Sequence, residues 1–492
     1  MRLIFSTVFS VLALAACGGG GGDSSSAPST PVVVAPVNSA PTVSNAVQDQ
    51  SANIGYEFSI DLSGTFSDPD NDTLTISADF GADAKGLALS GSTISGTPTS
   101  TGTITVTCSA TDPDGESVTD TFEIVVGIDQ SAIASVFNGA IDLENLADYE
   151  GQTVPDYITK INDGGNPITN EAATLGRVLF YDTSLSTDGT ISCASCHLQA
   201  LGFSDADIVS TGVEGGLTGR HSMRLINTMF ADETDFFWDE RAPSHEAQES
   251  QPIQDHNEMG FSGENGRPDL DDLIVQMQAT EYYDELFRFV YLDAEITEAR
   301  IQEALAQFTK SIQSFDSKYD EGRAQVNGNN APFPNFTADE NAGKRLYMQA
   351  PNNGGAGCQR CHRAPEFDIR PGSDQNGVFR VAGSVTEFDL TNTRSPTLRD
   401  MVGPNGQSNG PFMHDGSLAT IRDVIEHYDN IQAPASEPPR SEFLATIDNR
   451  LFPNGNPQPL NLTETEKDQL EAFLLTLTGS SIYTDEKLSD PF

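Results

Sequence analysis

Two short strings of cysteine and histidine carry the clearest chemistry in this sequence. They read Cys193-Ala194-Ser195-Cys196-His197 and Cys358-Gln359-Arg360-Cys361-His362. Each matches Cys-x-x-Cys-His, in which both thiols add to the vinyl groups of a haem and the histidine becomes an iron ligand. A zinc knuckle or a redox-active Cys-x-x-Cys is the alternative for a single copy. Two copies, each with its histidine, predict two covalently bound haem c groups with iron.

The elements that must position these strings are helical. Thr337, followed by Glu340 three residues later, indicates a helix N-terminus before the second string. Apolar residues recur at helical spacing in three further segments, 171–181, 298–318 and 464–478. The sequence therefore predicts two mostly α-helical cytochrome c-type domains, at 148–325 and at 326–482.

Residues 41–127 have the period of β-strands instead. Apolar and polar residues alternate from Ile54 to Leu62 and from Ile104 to Ala110, and turn-forming clusters of Asp, Gly, Pro and Asn separate the runs. This pattern predicts a small all-β, antiparallel sandwich of the immunoglobulin type. Cys108 falls on the apolar face, so we expect a buried thiol there. The chain is thus predicted to be multidomain.

The turns of this sandwich are acidic, and their sequence resembles the cadherin-like modules of bacterial surface proteins. Their carboxylates offer the oxygen ligands that calcium prefers, whereas Asp-Pro-Asp is also ordinary turn chemistry. The sequence leaves both interpretations open. The aspartates concerned are Asp68, Asp70, Asp72, Asp112 and Asp114.

The N-terminal residues indicate export. A basic start and an apolar run lead to Leu14-Ala15-Ala16-Cys17, so residues 1–17 fit a signal peptide. The ending resembles a bacterial lipobox, in which Cys17 is acylated, and Gly18 favours the outer membrane. Residues 18–40, rich in Gly, Ser, Pro and Val, predict a flexible linker. We therefore expect a periplasmic protein with a lipid anchor at Cys17, which agrees with haem c attachment outside the cytoplasm.

The charge limits the partners of the chain. It has 26 Lys and Arg against 72 Asp and Glu, a net charge of −46. Such a balance argues against nucleic acid and anionic lipid surfaces as partners. It permits a cationic electron-donor protein, but an acidic surface also simply keeps a protein soluble.

Residues 165–480 resemble the bacterial dihaem cytochrome c peroxidase family, including its MauG-like branch. The resemblance rests on the first cysteine string and on three further strings, Phe237-Trp238-Asp239-Glu240-Arg241-Ala242, Pro396-Thr397-Leu398-Arg399 and Phe412-Met413-His414-Asp415-Gly416-Ser417. It implies that the haem at Cys193, Cys196 and His197 reacts with peroxide. The haem at Cys358, Cys361 and His362 would then receive the electrons.

The resemblance also implies the other residues of the site. Trp238 would stand between the two haems, although an aromatic ring packed in a domain interface explains the same position. At the family spacing after this tryptophan come Gln248 and Glu258, which would line the peroxide pocket. A carboxylate in a poorly solvated pocket can move the proton that splitting the O–O bond requires.

The sequence departs from many family peroxidases in two places. The loop 201–219 contains no histidine, so the first haem is expected to be five-coordinate, with His221 as a minority alternative ligand. The second departure is at the sixth ligand of the second haem. Many family peroxidases have a methionine there, whereas this chain has Tyr428, beside His427, and tyrosine at this position is the MauG-like pattern. The side-chain ligand of the family's interdomain calcium aligns with His221, a poor calcium ligand, so only backbone oxygens near Asn409 and Pro411 would remain, and this calcium is left unassigned.

Together these features predict a dihaem peroxidase that reduces hydrogen peroxide to water with electrons from a small cytochrome c or cupredoxin. One alternative is a MauG-like enzyme that oxidises a side chain of a partner protein. Another is a non-catalytic dihaem electron carrier, against which Gln248 and Glu258 argue, because a carrier needs no peroxide-cleaving pocket.

Overall fold

The structure is a computed structural model that describes residues 37–435 and 438–492. The predicted signal peptide, Cys17 and the linker as far as residue 36 lie outside the described residues. In the ranges that are described, no helix has the length and apolar character needed to cross a membrane. An all-β sandwich comes first in the chain and is followed by two mostly helical units, as the sequence predicts.

The sandwich consists of a four-stranded sheet in the order β2-β9-β8-β5, a three-stranded sheet in the order β3-β7-β6, and the pair β1-β4. Its core side chains include Ile94, Val106 and Cys108, none of which is exposed to solvent. The buried thiol at Cys108 is therefore confirmed. The strands are β1 Thr42–Val43, β2 Gln50–Asn53, β3 Phe58–Asp61, β4 Phe66–Ser67, β5 Thr75–Asp79, β6 Leu87–Ser90, β7 Thr93–Gly96, β8 Gly102–Thr111 and β9 Ser117–Gly127.

Two details of the sandwich differ from the prediction. The pair β2-β9 is parallel, while the other sandwich pairs are antiparallel. The alternating run from Ile54 to Leu62 is not one strand, because the chain turns between β2 and β3. The amide of Gly55 donates to the carbonyl of Pro98 (3.0 Å), and that of Tyr56 donates back to Asn53 (3.3 Å). Tertiary hydrogen bonds thus override the alternation.

The aspartates of the acidic turns accept hydrogen bonds within their own turns and from the segment before β1, where Asn38 donates to Asp112 (2.8 Å) and the amide of Ser39 donates to Asp70 (2.7 Å). Asp68 Oδ1 accepts from the amide of Asp70 (2.7 Å), and Asp112 Oδ1 accepts from the amides of Gly115 (2.7 Å) and Glu116 (3.0 Å). Over residues 37–435 and 438–492, no group of three or more His, Cys, Asp or Glu side chains is arranged to hold a metal ion. These contacts support the turn interpretation of the aspartates.

The helical units contain thirteen α-helices in the described ranges, together with one short hairpin of β10 His362–Arg363 and β11 Asp368–Ile369. The helices are α1 Ser131–Phe137, α2 Asn170–Tyr181, α3 Cys193–Cys196, α4 His245–Glu249, α5 Gln251–Gln254, α6 Leu270–Gln278, α7 Glu281–Tyr291, α8 Glu298–Lys310, α9 Lys318–Arg323, α10 Ala338–Met348, α11 Ile421–Asp429, α12 Arg440–Thr446 and α13 Glu464–Leu475.

Each helical unit is built on one pair of helices that approach closely at a glycine. In the first unit α2 packs on α8, and a Cβ added at Gly176 would lie 2.0 Å from the carbonyl oxygen of Ala304. In the second, α10 packs on α13, and a Cβ at Gly343 would lie 1.8 Å from that of Gln469. Only glycine allows such contact between helix backbones. Both glycine-bearing helices precede a cysteine string, so the two units present their strings from equivalent positions.

The predicted helices are found, with one exception. Helix α2 confirms 171–181, and α10 begins after Thr337, whose side chain accepts from the amide of Glu340 as predicted. The helix predicted to run to residue 318 ends at Lys310. Beyond it, Asn227 donates its amide to the carbonyl of Ile312 (2.9 Å) and pairs through its side chain with the backbone of Ser314. These tertiary hydrogen bonds occupy the backbone carbonyl and amide groups that would have to bond within the helix if α8 continued beyond Lys310.

The hydrophobic core of the first unit extends beyond 148–325. It includes Ile133 and Phe137 of α1 and also Ile482 and Leu488 near the C-terminus. The hydroxyl of Tyr181 donates to the carbonyl of Leu488 at 2.6 Å. The last residues of the chain therefore pass the second unit and close over the first.

A buried ion pair stabilises the second unit. Arg399, which is fully buried, makes a bidentate contact with Asp320 of α9 at 2.8 and 2.9 Å. Asp320 also accepts from the hydroxyl of Tyr157 in the first unit (2.8 Å). Burial opposes ionisation of Asp320, but Arg399 outweighs it and lowers the pKa of this carboxyl. The pair thus fixes the Pro396–Arg399 string against the first unit.

We predict that Arg399→Met lowers the free energy of unfolding by about 3–5 kcal/mol, because it leaves the Asp320 carboxylate buried without its partner. Urea titration of the haem-loaded protein, followed by circular dichroism, measures this loss. Arg422→Met is the matched control, since Arg422 contacts three carboxylates at the surface. We expect it to cost about 1 kcal/mol or less. Equal losses in the two variants would contradict the role of the buried pair.

Candidate active site

The first cysteine string forms a single helical turn, α3. The turn begins after Ser192, whose amide donates to the hydroxyl oxygen of Ser195 at 3.0 Å. At its other end, the amide of His197 donates to the carbonyl of Cys193 at 3.0 Å. Positions three apart lie on one face of a helix, so Cys193 and Cys196 point to the same side. The turn thus presents both thiols and the histidine together.

A cavity of about 540 Å³ lies against this turn. Cys193, Cys196 and His197 line it, and so do the residues that the resemblance assigned to the site, Trp238, Gln248 and Glu258. Apolar side chains such as Phe180, Ile226 and Met259 form much of the remaining wall. The structure therefore brings six residues from four separate segments to one pocket.

The geometry of His197 fits an iron ligand. Its Nδ1 lies 3.1 Å from the carbonyl oxygen of Phe203, which fixes the ring and leaves Nε2 for a metal. Burial lowers the pKa of His197. The neutral form that binds iron is therefore the one present at neutral pH. With two thiols on the same turn, these residues fit a covalently held haem.

The second cysteine string has a different backbone conformation from the first. Cys358–Arg360 form one 3-10 turn, and His362 lies in the hairpin β10-β11. The hydroxyl of Tyr347 donates to the carbonyl of His362 at 2.5 Å. Burial, reinforced by the positive charge of Arg450, lowers the pKa of His362 to about 4. This histidine is therefore also neutral and able to bind iron.

Tyr428 lies on α11 and packs against the small apolar cluster that contains Ile431 and Phe443. Burial raises the pKa of its phenol, with smaller contributions from Cys361 and Cys358 of the second string. The neighbouring His427 has its Nε2 3.0 Å from the carbonyl oxygen of Asn376. The ring of His427 therefore has a protein partner, and Tyr428 stays the predicted ligand of the second haem.

Trp238 lies at the seam between the two helical units. Its indole Nε1 donates to the carbonyl of His221 (2.8 Å), and its ring stands 6.3 Å from the ring of His414. The carbonyl of Trp238 accepts from the amides of Thr393 (2.9 Å) and Arg394 (3.0 Å) of the second unit. The tryptophan therefore contacts both units and also lines the cavity.

Two carboxyl groups in the cavity wall titrate closer to neutral pH than usual, Glu258 and Asp368, and burial raises the pKa of Asp368 to about 6. Glu258 is the one that the family resemblance assigns to proton transfer. Burial, with a smaller contribution from Asp255, raises its pKa to about 7. Its backbone is fixed because its carbonyl accepts from the amide of Val213 (3.0 Å) and its own amide donates to Asp255 (3.1 Å). Gln248 lines the same cavity from α4. Neither side chain hydrogen-bonds to another residue in the described ranges, so both are available to a bound molecule.

His221, the minority ligand considered from the sequence, has both ring nitrogens near protein groups. Nδ1 lies 3.0 Å from the carbonyl oxygen of Asp207, and Nε2 lies 3.5 Å from the hydroxyl of Ser204. Asn409, which the resemblance placed near the interdomain calcium, donates its side-chain amide to the carbonyl of Asp400 at 2.8 Å. These contacts favour a structural role for both side chains.

The cavity wall contains a buried polar pair that no sequence motif indicates. His245 Nδ1 lies 3.1 Å from Glu249 Oε1, and His245 Nε2 lies 2.9 Å from the hydroxyl of Thr228. The hydroxyl of Thr309 donates to the same glutamate at 2.8 Å. The signal available in the sequence was the i,i+4 spacing of His245 and Glu249 on either side of Gln248. This network fixes α4, and with it the position of Gln248.

Comparison with known proteins gives two family matches. A model described as di-haem cytochrome c peroxidase matches residues 170–328, and one described as a putative Ig domain matches 40–127. The chain is 30% identical over 329 residues to the methylamine utilization protein MauG of Methylophilus methylotrophus, covering 64% of this chain and 85% of that protein. It is 28% identical over 325 residues to cytochrome c551 peroxidase of Nitrosomonas europaea, covering 64% and 81%.

Solved structures agree with these matches. The crystal structure of a MauG-like protein associated with microbial copper homeostasis superposes with a TM-score of 0.55 at 28% identity. The superposition covers 69% of this chain and 99% of that one.

We predict that intact-mass spectrometry of the mature protein detects two covalent haems. Cys193→Ala/Cys196→Ala should lose one and Cys358→Ala/Cys361→Ala the other, because each pair supplies both thioether sulfurs. Cys108→Ala is the control and should keep both haems, since Cys108 lies in the core of the sandwich. Bound zinc in place of haem would refute the assignment of both strings.

Proposed function

The chain belongs to the di-haem cytochrome c peroxidase family, and we propose that it reduces hydrogen peroxide to water with electrons from a small redox protein. Family membership makes it an oxidoreductase with two c-type haems. The observation that carries the proposal is the cavity in which Glu258, with a pKa of about 7, faces the same space as Cys193, Cys196 and His197.

A haem held by Cys193, Cys196 and His197 would supply an iron that binds peroxide and exchanges electrons with it. Glu258 supplies the proton movement. As a carboxylate it takes a proton from one peroxide oxygen, and as an acid it returns the proton to the leaving oxygen. Gln248 is placed to orient the peroxide by hydrogen bonding. The reaction balances as H2O2 + 2 H⁺ + 2 e⁻ → 2 H2O.

Electrons reach this site from the second unit. Cys358, Cys361 and His362 would hold the second haem, and Tyr428 would be a further ligand of its iron. Trp238, buried at the seam and bonded to both units, would offer an aromatic ring for electron transfer between the units. A non-catalytic carrier would need neither Glu258 nor Gln248 in a pocket, which argues against that alternative.

A second function is favoured by one feature, the tyrosine at position 428 where many family peroxidases have a methionine. An anionic phenolate favours ferric iron, whereas a methionine sulfur favours ferrous iron and a high potential. The second haem would then be suited to hold an oxidising equivalent and not only to deliver electrons. Such a protein could oxidise a side chain of a partner, as the MauG-like branch does.

The site of action that we propose is the periplasm. The apolar N-terminal run fits an export signal, and Cys17 followed by Gly18 fits a lipid anchor at the outer membrane. Calcium is not part of this proposal, because Asp68 and Asp112 of the sandwich accept hydrogen bonds from backbone amides of their own turns.

We predict that Glu258→Gln slows peroxide turnover by about a hundredfold or more while both haem spectra are kept. In the unmodified protein kcat/KM for peroxide should rise with pH through about 7, because only the carboxylate form of Glu258 can take the proton. The variant should lose this dependence. Glu264→Gln is the matched control, since Glu264 is an exposed acid six residues further along. Normal turnover in Glu258→Gln would remove this residue from the mechanism.

We also predict that the fully oxidised protein reacts with peroxide at once, without a reductant. The reason is that loop 201–219 has no histidine and both ring nitrogens of His221 face protein groups. Stopped-flow absorbance measures the reaction. A resting protein that does not react with peroxide until one haem is reduced contradicts the prediction.

Redox titration should give a higher potential for the second haem in Tyr428→Met, because sulfur replaces the phenolate. His427→Gln is the control and should leave the potential unchanged.

A further inference from the structure

A second concave surface, of about 590 Å³, lies beside the second cysteine string. Four arginines line it, Arg360, Arg363, Arg370 and Arg450, and we call them the arginine patch. Only two carboxylates, Asp374 and Asp448, line the same surface. The local charge is therefore positive, on a chain whose net charge is −46.

Three of these arginines carry unneutralised charge. Arg450 is paired with Asp448, whose Oδ1 accepts from its Nε at 2.8 Å. Within the part of the chain that the structure describes, Arg360, Arg363 and Arg370 form no salt bridge with a carboxylate. Arg360 and Arg370 are also exposed to solvent. On so acidic a chain, unpaired exposed arginines at one place are a feature that neither stability nor solubility requires.

The arginine patch is attached directly to the second string. Arg360 is part of that string, and its carbonyl accepts from Arg450 Nη1 at 2.8 Å. The amide of Arg370 donates to the carbonyl of Cys361 at 2.8 Å. A protein seated on this surface would therefore lie against the loop that holds the second haem, where the proposed function requires electrons to enter.

We propose that the arginine patch is the docking surface for a small one-electron donor protein whose contact face is acidic. The inference rests on the proposed function and specifies its partner. Two donor molecules each lose one electron at this surface, and the two electrons with two protons convert one H2O2 into two H2O. The net charge alone would favour a cationic donor, so the local and global charges predict opposite partners.

Ionic strength distinguishes the effect of the net charge of the chain from that of the arginine patch, because the two act over different distances. The Debye length is about 30 Å at 0.01 M ionic strength and about 8 Å at 0.15 M. At low salt the whole acidic chain repels an acidic donor, and moderate salt screens that repulsion while the closer contacts with the patch persist. The donor-driven rate should therefore rise and then fall with ionic strength. A basic donor should give only a fall.

The decisive variant is Arg370→Gln, which removes one exposed charge from the patch and leaves the cysteine string unchanged. The control is Lys85→Gln, which removes one charge that lies outside the patch, next to Asp83. Each haem-loaded protein is assayed for peroxide turnover with a reduced cupredoxin that has an acidic docking face, and with a reduced basic cytochrome c. Ascorbate with a neutral phenylenediamine mediator serves as the reductant that needs no docking. The Kd of the acidic cupredoxin is measured by calorimetry.

We expect the patch variant to lose about three- to tenfold in kcat/KM and in affinity with the acidic cupredoxin. Its ascorbate-driven rate and both haem spectra should stay unchanged, and the control variant should lose neither. Equal losses in the two variants, or a loss with the basic cytochrome instead, would overturn the proposal. A change in the second haem spectrum and in the ascorbate-driven rate would also overturn it, because the arginines would then hold the cofactor.

The two proposals can fail separately. If the unmodified protein shows no ascorbate-driven peroxide turnover, the proposed function fails. The calorimetric Kd of the two variants for the acidic cupredoxin still decides whether the patch is a docking surface.

Discussion

The seam around Trp238 is the constraint on which the rest of the structure depends. The two cysteine strings lie in separate helical units, so the contacts at the seam set the distance between them. The carbonyl of Trp238 is held by two backbone amides of the second unit, and its indole is held by His221. His221 in turn donates its amide to the carbonyl of His414 at 2.8 Å. The ring cannot shift without breaking main-chain bonds on both sides of the seam.

Ion pairs reinforce the same seam. Arg220 contacts Asp239, next to Trp238, and Asp389 of the second unit, each at 2.7 Å. Asp389 has a lowered pKa, because Arg220 and Thr391 outweigh the effect of its burial, and it stays ionised across the physiological range. The tryptophan is therefore clamped by charge on one side and by backbone hydrogen bonds on the other. This arrangement explains why a string such as Phe237–Ala242 is recognisable in the sequence: its neighbours are fixed by both units.

Burial sets the chemistry of the cavity in two opposite ways. Removal from water disfavours the charged form of any group, so it lowers the pKa of His197 and raises that of Glu258. The histidine is thus kept neutral for iron, and the carboxyl is brought to where it can both accept and donate a proton. A more solvated pocket would leave Glu258 permanently ionised. One property of the fold, the exclusion of water, serves both the ligand and the acid–base group.

The sequence predicted what is specified locally and missed what is specified by distant contacts. The cysteine strings and the cap at Thr337 are specified by neighbouring residues. Trp238, Gln248 and Glu258 were assigned to the site by the family resemblance, and they do line one cavity. The end of α8 at Lys310 depends on Asn227, more than eighty residues earlier, as the separation of 87 between Asn227 and Ser314 records. No local pattern carries such information, because the alternative partner for the backbone is remote in the chain.

The docking of the sandwich shows the same principle and has a consequence for the arginine patch. Arg288 of α7 stacks over the ring of Tyr56 at 4.3 Å and donates to the carbonyl of Gly55 at 2.9 Å. The hydroxyl of Tyr56 donates to Asp284 (3.1 Å), and Phe289 packs against the sandwich core. These contacts use α7 of the first unit, whereas the arginine patch belongs to the second. None of the residues that line the arginine patch belongs to the sandwich, so the sandwich forms no part of the proposed docking surface.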